Sequence, residues 1–221
     1  MEGDVVMRRS TLSAAMALAA CGSQPPATQS PPALPPARVT RDSMSTALVP
    51  PGYGTLHQDD ISIILQPNGV RVTALPLDES IIRLLAPDSY RSMRSILEAK
   101  RQQIAQRAQL RGIQNPRVWY VRFYGLTPDA HFVPTDFSIL SGGREYRPFD
   151  VIPITGGFGD QRLQPRDTQA GLLLFEEGVD VTQPLSVTMG AERNTDWSLD
   201  DILKKLDAER ASVRARAGAH P

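Results

Sequence analysis

The sequence predicts a mainly β fold, a β-sandwich carrying two helices, and three observations lead there. Residues 61–65 (Ile, Ser, Ile, Ile, Leu) and 70–75 (Val, Arg, Val, Thr, Ala, Leu) flank Gln66, Pro67, Asn68 and Gly69. An Asn-Gly pair between β-branched runs tolerates the left-handed backbone of a tight turn, so the two runs form a hairpin. Residues 118–124 alternate, with Trp119, Val121 and Phe123 on one face and Tyr120, Arg122 and Tyr124 on the other, the period of a half-buried strand. Shorter apolar runs at 137–140, 151–155, 171–175 and 185–189 are separated by Pro, Gly and Asp. About seven short strands punctuated in this way indicate a sandwich.

The N-terminus reads differently. Arg8 and Arg9 precede an apolar run over 12–20 that ends in Ala19 and Ala20, just before Cys21, the only cysteine of the 221 residues. A positive start, a short apolar run and small residues at its end are the parts of a secretory signal. The run is too short for a spanning helix, which takes roughly 20 apolar residues. Leu18, Ala19, Ala20 and Cys21 resemble the lipobox of bacterial lipoproteins. That resemblance implies cleavage after residues 1–20 and diacylation of the Cys21 thiol, with the protein exported and lipid-anchored in the cell envelope. Each buried methylene contributes about 0.8 kcal/mol, so two or more acyl chains make a stable anchor. A lipidated Cys21 leaves no thiol for a disulfide or a metal site.

Residues 21–51 form the next segment, with Pro25, Pro26, Pro31, Pro32, Pro35, Pro36, Pro50 and Pro51. Proline at this density removes backbone donors and favours polyproline II at about 3.1 Å per residue, so the segment is expected to be a disordered stalk. The folded domain is expected over 52–192, with a C-terminal helix and tail over 193–221.

A helix is predicted over 88–111, inserted between strands. Tyr90, Met93, Ile96, Leu97, Ile104 and Ala108 recur at helical spacing, and Gly112 ends the run. It carries six basic residues, Arg91, Arg94, Lys100, Arg101, Arg107 and Arg111, against Asp88 and Glu98, in a chain of zero formal charge. This helix is therefore the candidate partner-binding surface, for an acidic envelope protein or an anionic membrane. A second helix over 198–214 places Leu199, Ile202, Leu203, Leu206 and Val213 on one stripe, opposite Lys204, Lys205, Asp207 and Glu209.

Between Trp119 and Met189, the positions Pro134, Asp136, Phe137, Gly142, Tyr146, Leu163, Pro165, Gly171 and Phe175 form a pattern that resembles that of a family of secreted bacterial domains, the DUF4352 type, with a telokin-like, immunoglobulin-like β-sandwich. The resemblance implies an extracytoplasmic binding or structural module and carries over no catalytic residue. In that pattern the helix over 88–111 is an insertion and the helix after Asp196 an appendage.

Chemistry is sparse. The chain has no Gly-x-Ser-x-Gly elbow, no His-Glu-x-x-His and no Walker loop. Thr155 to Asp160, "TGGFGD", lacks the Gly-Lys-Ser/Thr end that holds phosphate and is expected to be a hairpin tip. The zero net charge argues against nucleic acid as a partner, and no cofactor or metal is expected. His57 and Asp59, with the acidic stretch Glu176, Glu177, Gly178, Val179 and Asp180, are the residues an envelope hydrolase or metal-dependent enzyme would use. Such an enzyme needs the two groups to converge on one substrate. Otherwise His57 to Asp60 is a solvated lead into a strand and 176–180 a solvated turn. His131 is read as a surface-loop residue and His220 as part of a frayed tail.

Overall fold

The computed structural model describes residues 48–158 and 161–219. The signal segment, Cys21, the stalk as far as residue 47, the last two residues of the Thr155-to-Asp160 tip, and His220 lie outside them. The strands in chain order are β1 (Ile63–Leu65), β2 (Val70–Pro76), β3 (Arg117–Gly125), β4 (Ala130–His131), β5 (Phe137–Ser141), β6 (Arg144–Tyr146), β7 (Asp150–Pro153), β8 (Arg162–Leu163), β9 (Thr168–Phe175), β10 (Leu185–Met189) and β11 (Glu192–Asn194). The helices are α1 (Glu79–Ile82), α2 (Pro87–Leu110) and α3 (Ile202–Gly218). All strand pairs are antiparallel, in sheets ordered β1-β2-β3-β9-β7, β11-β10-β5-β6 and β4-β8. The fold is mainly β and sandwich-like.

The first hairpin forms where the Asn-Gly pair places it. Ile63 pairs with Ala74 and Leu65 with Val72. Asn68 (φ 45°) and Gly69 (φ 76°) adopt the left-handed backbone that closes the turn. Gly69 is also required for space, because a Cβ there would lie 2.2 Å from Thr127 Oγ1.

The alternation in β3 places Trp119, Val121 and Phe123 in the core, each 0% exposed. This face meets the four-stranded sheet through aromatic contacts: Trp119 lies 6.3 Å from Phe137 and Phe137 lies 6.2 Å from Phe175, ring centre to ring centre. Trp197 closes that end, 6.1 Å from Trp119, with its indole Nε1 donating to the Val181 carbonyl at 3.0 Å. At the other end Phe123 stacks on Phe132 at 4.2 Å, and Phe158 meets both rings edge-on.

The opposite face of the five-stranded sheet is also apolar over half its length. Leu172 and Leu174 point away from the sandwich interior, since side chains alternate along β9 and Leu173 belongs to the inner face. They are nonetheless 0% exposed. The register places Val118 and Asp150 beside Leu174, and Tyr120 and Ile152 beside Leu172. Arg107 of α2 reaches Asp150 at 3.5 Å, so α2 covers this half of the sheet. Thus α2 is a third layer, and without it two fully buried leucines would face water.

Helix α3 is likewise built into the core rather than appended to it. Ile202, Leu203, Leu206 and Val213 are buried in the same cluster as the sheets. It starts four residues later than its stripe predicts: Leu199 is 66% exposed, and Asp196 O accepts from both Ser198 N (2.8 Å) and Ile202 N (3.1 Å), making a turn of the intervening residues. Glu209 is buried, not on the solvated face. His131 lies on β4, an exposed position paired with Arg162 of β8, rather than in a loop. No helix among the described residues is long and apolar enough to cross a membrane.

Candidate functional site

The main cavity follows from how α2 meets the sheet. Its 24 residues bury only Met93 and Ala108 fully, while Tyr90, Ile96, Leu97 and Ile104 pack half-buried against the core. After Leu110 the chain turns at Gly112, whose φ of 70° suits glycine, and returns beside the helix into β3. Between the helix flank and this returning segment runs a groove of about 920 Å³. Leu97, Ile104, Ala105 and Ala108 form one wall, Ile113, Pro116 and Val118 the other, and Glu79 of α1 closes one end. Arg94, Glu98 and Arg101 stand along it.

The rim is charged but neutralised. Arg94 pairs with Glu79, and the adjacent carboxylate holds the guanidinium pKa above its usual range. Arg101 pairs with Glu98 at 3.3 Å. Arg91 pairs with Asp88 one turn earlier, and Arg107 with Asp150 of β7. Four of the six basic side chains singled out in the sequence thus have an acidic neighbour, two of those acids lying outside the helix. Lys100 and Arg111 have no ion pair among the described residues. Exposed pairs of this kind contribute at most about 1 kcal/mol each, but they cancel the field of the helix at close range.

The residues of the enzyme reading occupy separate places. His57 caps a short 3₁₀ turn, Gln58–Asp60, in which the Asp60 carboxylate accepts from the His57 backbone N–H at 2.7 Å. Asp59 is directed toward Arg122, 3.9 Å away, at the edge of a cleft that also includes Arg71 and Tyr124. The acidic turn lines two other cavities. There Glu176 pairs with Arg144 at 2.8 Å. Glu177 accepts from the backbone N–H groups of Gln114 (3.2 Å) and Asn115 (2.9 Å), tying down the returning wall of the groove. Asp180 accepts from Thr182 N and Oγ1. Each carboxylate has a structural partner, and His57 and Asp59 line neither of those cavities. Among the described residues no group of three or more His, Cys, Asp or Glu is placed to hold a metal ion.

No family model, no curated protein and no solved structure matches this chain.

Proposed function

We propose that this chain is an exported bacterial lipoprotein, anchored in an envelope membrane through diacylated Cys21, whose folded domain is a non-catalytic module that binds another envelope component. The groove along α2 carries this reading: its apolar walls are open, while among the described residues the other large apolar side chains are mostly buried. Because Arg94 and Arg101, the two basic residues that line the groove, are already paired, the segment it accepts is apolar and weakly charged. The immunoglobulin-like, telokin-like form of the sandwich, and with it the DUF4352-type kinship, belong to the same proposal; face-packed antiparallel sheets of five and four strands support them.

The test is photo-crosslinking in the native cell, from a reactive side chain placed at Gln109 in the groove and, as a control, at Glu192 on β11. A discrete adduct is expected from Gln109 alone. Ala105→Trp, which fills the groove from an exposed position, should abolish it. An adduct that forms equally at Glu192, or that survives Ala105→Trp, would remove the groove as the binding site.

A further inference from the structure

Helix α2 covers only one half of the outer sheet face. Over the other half the register sets Arg71 beside Tyr124 and Tyr124 beside Thr168, with Thr73 beside Arg122. Residues paired across antiparallel strands project to the same side, and alternate positions share that side. All five side chains therefore leave the sheet together. They line a cleft of about 490 Å³, with Asp59 at its edge.

The charge there is poorly compensated. Arg122 has one acidic neighbour, Asp59 at 3.9 Å, whose side chain is 84% exposed. Arg71 has no ion pair or hydrogen bond among the described residues. The adjacent Asp60 is occupied by the His57 N–H. Arg71 and Arg122 stand diagonally on neighbouring strands, and two like charges gathered in one cleft repel each other. An anion between them would turn that repulsion into two charge-assisted contacts.

We propose that this cleft binds a phosphate-bearing ligand, with the oxyanion held between Arg71 and Arg122. Each guanidinium offers five donors in a planar fork, and the hydroxyls of Thr73, Tyr124 and Thr168 offer more. A carboxylate has only two oxygens to receive them, whereas a phosphate monoester has three terminal oxygens and up to two charges. The same chemistry belongs to a soluble phosphate ester and to a phospholipid headgroup.

Titrating the full-length chain with glycerol phosphate, while following the Arg side-chain NMR signals, tests the proposal. Saturable shifts of the Arg71 and Arg122 signals are expected, and Arg71→Gln or Arg122→Gln should each weaken binding about tenfold, the scale of one lost charge-assisted contact. Arg71→Lys, which keeps the charge and loses the fork, should fall between. Sedimentation with vesicles of phosphatidylcholine containing phosphatidic acid separates the sources: co-sedimentation lost in Arg71→Gln identifies a headgroup, and titration without it a soluble ester. Arg71 is exposed, so Arg71→Gln should fold, and an unchanged melting temperature without ligand checks this. Shifts equal to those given by chloride at matched ionic strength, or unchanged in the glutamine variants, would overturn the proposal.

Discussion

Glu209 on α3 accepts a hydrogen bond from the backbone N–H of Thr55 at 2.8 Å and another from its hydroxyl at 3.0 Å, across 154 positions of chain. Arg216 binds the same carboxylate at 3.1 Å and also donates to the Tyr53 carbonyl. The start of the described domain and its last helix are thereby joined through one buried carboxylate. A buried charge is tolerable only when its lone pairs are filled, and here both oxygens are used.

Glu209→Ala should therefore destabilise the protein by about 1–3 kcal/mol, because it leaves the Thr55 N–H without its acceptor. Glu209→Gln keeps one acceptor oxygen and should lose less. Urea denaturation of both variants checks the order. Equal midpoints for wild type and Glu209→Ala would mean that the clasp contributes nothing.

Within β3, neighbouring residues should differ sharply. Phe123→Ala removes a fully buried ring stacked on Phe132 and should cost about 3–5 kcal/mol. Arg122→Ala, on the outer face, should change stability by under about 0.5 kcal/mol. Thermal or urea unfolding of the pair tests the facing of the strand, and similar losses would contradict it.

The third layer makes its own demand. Leu174→Ala should cost about 2–5 kcal/mol, as for any large core residue, although Leu174 lies outside the sandwich interior. If α2 were a dispensable insertion, the loss would be that of a surface site, under about 0.5 kcal/mol. Equilibrium unfolding distinguishes the two.

How much of this was legible in the sequence follows from the range of the interactions. The first hairpin, β3 and β10 carry their own patterns, an Asn-Gly turn, a seven-residue alternation and an apolar run, and they lie where those patterns place them. Strands β4, β8 and β11 are two or three residues long, too short for any period. Ala130 is a strand residue because Leu163 pairs with it, and nothing local records that pairing. The pairing of the helix charges is likewise not local. Glu79 and Asp150 neutralise Arg94 and Arg107 from 15 and 43 positions away. The second groove wall, 112–118, and the meeting of Arg71 with Arg122 likewise depend on strand register, which composition does not give.

A single methyl group tests the packing of the N-terminal segment against the region after α1. A Cβ on Gly54 would lie 2.2 Å from the Leu84 carbonyl oxygen and 2.5 Å from that of Leu85. Both atoms are backbone, and Leu56 bridges the same stretch through Leu56 N to Leu84 O at 3.2 Å and Ala86 N to Leu56 O at 2.8 Å. Gly54→Ala should thus destabilise by about 1–3 kcal/mol through overpacking. Gly156→Ala, with nothing within 4 Å and no positive φ, should have no such penalty. A melting temperature for Gly54→Ala no lower than that of Gly156→Ala would show that the contact is not close.

The anchor is tested apart from the fold. On the proposed reading, Arg8, Arg9, the apolar run over 12–20 and Cys21 are the parts of a lipoprotein signal, and at a lipobox diacylation of the thiol precedes cleavage. Cys21→Ser removes the sulfur that this reading makes the lipid acceptor, so both steps should fail together. Labelled palmitate is expected to enter the wild-type chain and not the variant, and the variant should persist as a larger precursor. The domain itself should be unchanged, since Cys21 lies far outside its core in sequence; a wild-type melting temperature for the purified variant checks this. Equal palmitate incorporation in wild type and Cys21→Ser would remove the lipidation of Cys21, and with it the envelope anchor on which the proposed function rests.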